Sequence, residues 1–263
     1  MYKYYAAMKY EFKDRTAYKI SLFFNAVIFA LVMYVMVHVW GYLYHDKDAL
    51  IAGYSYQQMI WYVILTELIW FSTRSAILTH QISDDIRTGN ICSYVNKPYD
   101  YPGYILARYL GEISFKTIAF IPIGGILGVV CLRMFPNASF ISVASVLVTF
   151  ILSVIINGII RVLVGLSSFW IEDTKPVIWL YEKLILIMGT VFPLELFSEN
   201  IQQVLKYTPI YVISYGPARL FVKYNHEDFF KILLSQIIYI VIGYLCIQIV
   251  YKKGKRRLHV YGG

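Results

Sequence analysis

Between Lys19 and Asp46 the chain carries no Asp, Glu, Lys or Arg, and most residues there are apolar or aromatic. A helix of about 20 apolar residues crosses roughly 30 Å of hydrocarbon, so Ile20–Tyr44 reads as a membrane span. A second uncharged run of that kind, Ile232–Tyr251, lies near the other end. Composition agrees. Hydrophobic residues are 59% and charged residues 15% of the 263, too few charges to cover a water-soluble surface. The 25 Tyr and 16 Phe residues exclude a disordered chain, because so much apolar mass must be buried.

Between these runs the pattern predicts four more spans, giving an all-α integral membrane protein with six transmembrane helices. Span two is Gln57–Leu78, span three Tyr104–Leu132 and span four Phe140–Gly165. A tight turn with Pro136 at Arg133–Ser139 joins spans three and four. Span five begins near Ile178, but its uncharged core, Leu184–Leu194, is short and runs into Pro193. Span six is Ile232–Tyr251. The stretch Glu195–Val222 is too apolar for a free loop and too broken by Pro209, Gly216 and Pro217 for a simple span.

The net charge of +8 sits mainly at the two ends. Lys3, Lys9, Lys13, Arg15 and Lys19 precede span one, and Lys252, Lys253, Lys255, Arg256 and Arg257 follow span six. Basic residues beside spans mark the cytoplasmic face, so both termini are expected there, against anionic lipid rather than nucleic acid. Residues 1–19 read as an amphipathic interfacial helix, with Tyr4, Met8, Phe12 and Arg15 at helical spacing. Residues 252–263 are a basic cytoplasmic tail. Met1–Lys19 is too charged for a cleavable signal. Cys92, Cys131 and Cys246 are scattered and suggest neither a disulfide framework nor zinc.

The polar segment 79–103 faces the cytoplasm by the same charge pattern. Ser83, Asp84 and Asp85 can cap a helix start. Ile82 and Ile86 form an i,i+4 apolar pair. Gly89 can end such a helix in the left-handed conformation, and Pro98 and Pro102 stop it from continuing. A short helix at the membrane face suits docking to a soluble partner; a solvated loop with a turn is the plainer alternative.

The run I-x-x-D-I-R-x-G-N-I-x-x-Y-V-x-K-P, from Ile82 to Pro98, resembles the cytoplasmic loop of ABC-2-type transporter permeases. Three further elements are similar to the daunorubicin-resistance-type branch. They are F-W-x-E-D at Phe169, Trp170, Glu172 and Asp173; P-L-x-x-F at Pro193, Leu194 and Phe197; and the paired Pro209 and Pro217. The resemblance covers most of the chain and implies a single ABC-2-type transmembrane domain. It implies that Ser83, Asp84, Asp85, Ile86, Arg87, Thr88 and Gly89 couple to an ATPase. It implies that 191–222, with Pro193, Glu195, Pro209 and Pro217, is a re-entrant helical segment between spans five and six. The implied partners are two cytosolic ABC ATPase subunits, which bind ATP and Mg, and a second permease, identical or homologous. No G-x-x-x-x-G-K-[ST] occurs in this sequence, so ATP hydrolysis is expected from the partner. The implied activity is export across a bacterial-type plasma membrane, with no cofactor on this chain.

Ionisable groups inside a span are costly and usually face the bundle interior. Glu67 either lines a pathway, pairs with Arg161 or is held within the bundle. Arg74 and Arg161 are the other two candidates to line a pathway, against the plainer expectation that both snorkel to the inner headgroups. Glu112 and Lys116 form an i,i+4 pair. The five histidines are dispersed and neither HExxH nor G-x-S-x-G occurs, so an enzyme acting on lipid finds no cluster to support it. The alternative to a transporter is a membrane scaffold or sensor subunit recruiting a cytosolic partner through 79–103.

Overall fold

In a computed structural model of the chain, residues 2–45, 49–95, 97–132 and 139–261 are described. Their regular structure is helical, with no strand among them. In chain order the helices are α1 (Tyr2–Ala17), α2 (Lys19–Leu43), α3 (Tyr56–Thr73), α4 (Ala76–Arg87), α5 (Ile91–Val95) and α6 (Tyr101–Leu132). They continue with α7 (Phe140–Leu166), α8 (Lys175–Ile185), α9 (Glu199–Lys206), α10 (Gly216–Val222) and α11 (His226–Tyr261).

Among the described residues, four helices are long and apolar enough to cross a membrane: Ile20–Leu43, Tyr101–Leu132, Phe140–Phe169 and His226–Arg257. Their outer faces carry exposed apolar rows, such as Phe24, Ile28, Leu31 and Val35 on α2 and Leu234, Ile238, Val241 and Leu245 on α11. Faces of that extent are unstable in water and are what lipid-facing helices present. The chain is a multi-pass membrane protein.

The second expected span is α3, only 18 residues long and buried along most of its length. A capping box starts it: the Ser55 hydroxyl accepts from the Gln58 amide, and the Gln58 side chain accepts from the Ser55 amide. It ends at Thr73, not at Leu78. The fifth is α8, which passes into a π-helical turn at Leu186–Val191 before Pro193. Residues after Pro193 form a short 3-10 turn (Leu194–Leu196), α9, a π-helical turn (Tyr211–Tyr215) and α10. Val212, Ile213, Tyr215 and Ala218 of this segment are fully covered by neighbouring helices.

Helix α1 lies along the start of α6. Tyr4 accepts the Asp100 amide at 3.1 Å, and Phe12 meets Phe115 edge to face at 5.7 Å. The side of α1 that carries Tyr4, Met8 and Phe12 is turned onto α6, while Tyr2, Tyr5 and Tyr10 remain exposed. The expected basic tail is a helical continuation of α11 as far as Tyr261. The turn expected at Arg133–Ser139 lies outside the described residues except for Ser139, whose hydroxyl caps α7 by accepting the Ser142 amide at 3.1 Å.

One apolar core joins α4, α5, the start of α6, the end of α7 and the end of α11, through Ile82, Ile91, Tyr101, Val162, Leu166 and Tyr251. Because α1 also packs on the start of α6, both termini lie at the same end of the bundle.

Candidate functional site

The segment 79–103 is mostly helix. Helix α4 begins at Ala76, and its cap is Ser75, whose hydroxyl accepts from the Leu78 amide. Ser83, Asp84 and Asp85 are in the helix interior and cap nothing, which corrects the sequence expectation. The reason is tertiary. The chain breaks at Arg74–Ser75 because Arg74 is held from α6 and Ser75 from both α6 and α7. Lys116 of α6 donates to the Arg74 carbonyl at 2.6 Å, and Ser75 donates to Glu112 of α6 at 2.6 Å. Arg161 of α7 donates to the Ser75 carbonyl at 3.3 Å. A helix started there swallows the later cap residues.

The inner face of α4 is fastened to three elements. Ile82 is fully buried against Gly165 of α7, where an added Cβ would come within 2.8 Å of the Ile82 Cβ. Ser168 donates to the Ser83 hydroxyl at 2.8 Å. Tyr101 donates to Asp85 at 2.6 Å. Asp85 is thus turned inward and ties α4 to α6. The outer face and tip show Asp84, Arg87, Thr88, Gly89 and Asn90 exposed, with Ile86 half-buried. Gly89 has φ +74°, the left-handed geometry that ends a helix, and its amide donates to the Ile86 carbonyl. Helix α5 follows at once and returns Ile91 to the core. The result is an elbow with a rigid root and a polar, exposed tip.

Around the root lies a ring of charge that the sequence does not announce. Glu11 of α1 is almost fully buried between Arg15 at 2.7 Å and Arg108 at 2.8 Å. Arg108 also donates to Gln81 of α4 at 2.8 Å. Glu112 pairs with Lys116 at 2.8 Å, as expected from the spacing, and lies 4.0 Å from Arg15. Arg161 does not snorkel. Its side chain is 3% exposed and bonds Asn157 at 2.8 Å and Glu182 of α8 at 3.1 Å. Arg74, 57% exposed, reaches the same Glu182 at 3.9 Å. Glu182 thus takes the part considered for Glu67. Glu67 is buried on α3, and its Oε2 atom has no hydrogen-bond partner.

A second polar cluster occupies the opposite end, in the Pro-broken segment. Glu195 Oε1 accepts from Tyr215 at 2.5 Å, Arg219 at 2.8 Å and Tyr54 at 3.0 Å. Arg219 also pairs with Asp228 at 3.1 Å. Lys223 donates to the Gly53 carbonyl and lies over the Tyr54 ring at 4.4 Å. Burial, with the Glu195 charge beside it, pushes the Tyr54 phenol up, so it stays protonated and donates. Pro209 opens the helical run that leads into α10, and Pro217 follows the π-helical turn Tyr211–Tyr215 at the start of α10. Replacing Tyr215 by Phe removes two charge-assisted bonds, the one it donates to Glu195 and the one it accepts from Arg219 at 2.7 Å, and is expected to cost about 3 kcal/mol. Tyr54→Phe should cost less, because its bond is longer. Thermal unfolding in detergent gives the order; equal melting of Tyr215→Phe and wild type would show that the cluster adds no stability.

Of the residues singled out in the sequence, the structure gathers Arg74 and Arg161 at one pocket and leaves Glu67 apart. Glu11, Ser75, Tyr101, Ser168 and Glu182 were not foreseen. Only the Glu11–Arg15 pair, at i,i+4, had a local signal. Among the described residues, no group of three or more His, Cys, Asp or Glu is placed to hold a metal ion.

No curated protein matches the chain. A family model described as ABC-2 family transporter protein matches residues 31–262.

Proposed function

Because the chain belongs to the ABC-2 transporter family, we propose that it is the permease subunit of an ATP-driven exporter for a drug-like, peptide or lipid-like molecule. The observation that carries this reading is the α4–α5 elbow. Its exposed tip offers Asp84, Arg87, Thr88, Gly89 and Asn90 to a soluble partner, while its root is fastened to α6 and α7. A push on the tip is passed to two long helices as a rigid-body tilt, which is what alternating access requires. Asp85 acts as a strut rather than as a docking contact.

The elbow end carries Lys3, Lys9, Lys13, Arg87, Lys175, Lys252 and Lys253, which by the positive-inside rule makes it cytoplasmic. We take α3 and α8 with its π-helical turn as the second and fifth spans, for six in all. The segment 191–222 is then re-entrant: broken backbone at membrane depth is tolerated where protein covers it, and the π-helical turn and α10 are covered at Val212, Ile213, Tyr215, Ala218 and Leu220, while most of α9 is exposed. Two cytosolic ATPases supply the ATP and Mg sites, and a second permease completes the pathway in a bacterial-type plasma membrane. Placement in the daunorubicin-resistance-type branch rests on Phe169, Trp170, Glu172 and Asp173 with Pro193, Leu194 and Phe197.

The test is a mild-detergent pull-down from the native membrane. Wild type should bring a P-loop ATPase with it. A charge-reversed tip, Asp84→Lys with Arg87→Glu, should insert normally and lose the ATPase. Undiminished recovery with the reversed tip would remove the elbow from the interface. Absence of any ATPase from wild type would overturn the exporter reading.

A further inference from the structure

A pocket of about 240 Å³ opens between the α3–α4 junction and α8. Its charged lining is Arg74, Arg161 and Lys175 against a single carboxylate, Glu182, with His80 beside them. Glu182 is already engaged by Arg161 at 3.1 Å and lies 3.9 Å from Arg74, so the pocket keeps an excess of positive charge. Arg161 is fixed from behind by Asn157 and the Ser75 carbonyl, which makes this a built site rather than a chance gathering of surface chains. Lys175 stands exposed at its rim.

The pocket continues into an apolar surface. Trp179 forms part of its wall, and Trp179, Leu180, Leu184 and Ile187 are exposed along α8 and the turn that follows. Cations at one end and an open apolar helix face at the other are complementary to a molecule with an anionic phosphate and hydrocarbon chains. We propose that this pocket binds an anionic phospholipid, the phosphate held by Arg74, Arg161 and Lys175 and the acyl chains lying on α8. Basic pockets between membrane helices favour anionic headgroups for this reason. A free phosphate ion would use the cations but leave the apolar face unused. The bound lipid would brace α8 against the α3–α4 junction, where the root of the elbow is fastened.

The full chain in mild detergent, incubated with phosphatidylglycerol or phosphatidylcholine and read by native mass spectrometry, tests this. Phosphatidylglycerol should be retained and phosphatidylcholine should not. Each basic side chain near an anionic headgroup is worth about fivefold, so Lys175→Gln should weaken retention about fivefold and Arg74→Gln with Lys175→Gln about thirtyfold. Lys175→Gln alters only an exposed side chain and guards against misfolding of the double variant. Lys206→Gln, at the opposite end, should change nothing. Equal retention of the two lipids, or undiminished retention by both variants, would overturn the site. Displacement by millimolar inorganic phosphate would overturn the lipid and leave a small-anion site. The pull-down of an ATPase is a separate readout, so failure here and failure of the exporter reading are distinguishable.

Discussion

Glu11→Ala is expected to lower the unfolding temperature of the detergent-solubilised protein by about 10 °C. Glu11 bonds both Arg15 and Arg108, and its side chain is 3% exposed; Glu112 stands farther off, 4.0 Å from Arg15. Removing it leaves two guanidinium groups facing each other in a site with little water. Breaking a buried pair from one side costs about 3–5 kcal/mol, because the surviving charge loses its close counter-charge. The loss should be local at first: α1 leaves α6, and Arg108 is left with Gln81 of α4 as its partner. Protease sensitivity near residues 1–19 should rise with it. Lys9→Ala, exposed on the same helix, is the control and should shift melting by about one degree or less. Glu11→Ala melting with that control would mean that α1 is held by its aromatic contacts alone.

The second large effect is at Gly165. With a leucine there, α4 cannot keep its place on α7, since the first added carbon already meets Ile82 at 2.8 Å. Ile82 is β-branched and buried, so it has no free rotamer to swing into. Overpacking of this kind costs about 1–3 kcal/mol. At about 1.4 kcal/mol per decade, that is about a tenfold loss of the correctly seated elbow. In the pull-down, ATPase recovery should fall by that order while membrane insertion stays normal. Ile82→Ala in the Gly165→Leu background makes room and should restore recovery, an outcome that simple destabilisation would not produce. Worse recovery in the double variant would separate the α4–α7 contact from partner binding.

Much of the helical plan was legible in the chain. α2, α6, α7 and α11 were readable because a run of uncharged residues long enough to span hydrocarbon has few other stable forms. The end of α4 was readable because Gly89 follows an apolar pair and tolerates positive φ. Its start was not. Ser83, Asp84 and Asp85 have the chemistry of a cap, and only the contacts of Ser75 with α6 and α7 move the helix start upstream. Arg161 was expected at the headgroups because a long cation near a span end has that option. A partner on α8, 21 residues further on, removes the need.

The sequence by itself determined that this is a helical, membrane-embedded chain, which of its ends are basic, and where its backbone is broken by proline. Those properties follow from composition and local spacing against the thickness of a bilayer. The tertiary structure alone decided which polar groups pair between elements distant in the chain. Glu11 meets Arg108 across 97 residues and Tyr54 meets Glu195 across 141. With little water to satisfy them, buried polar groups must find partners in protein, and which partner is within reach is set by how the helices pack, not by what stands beside them in the chain.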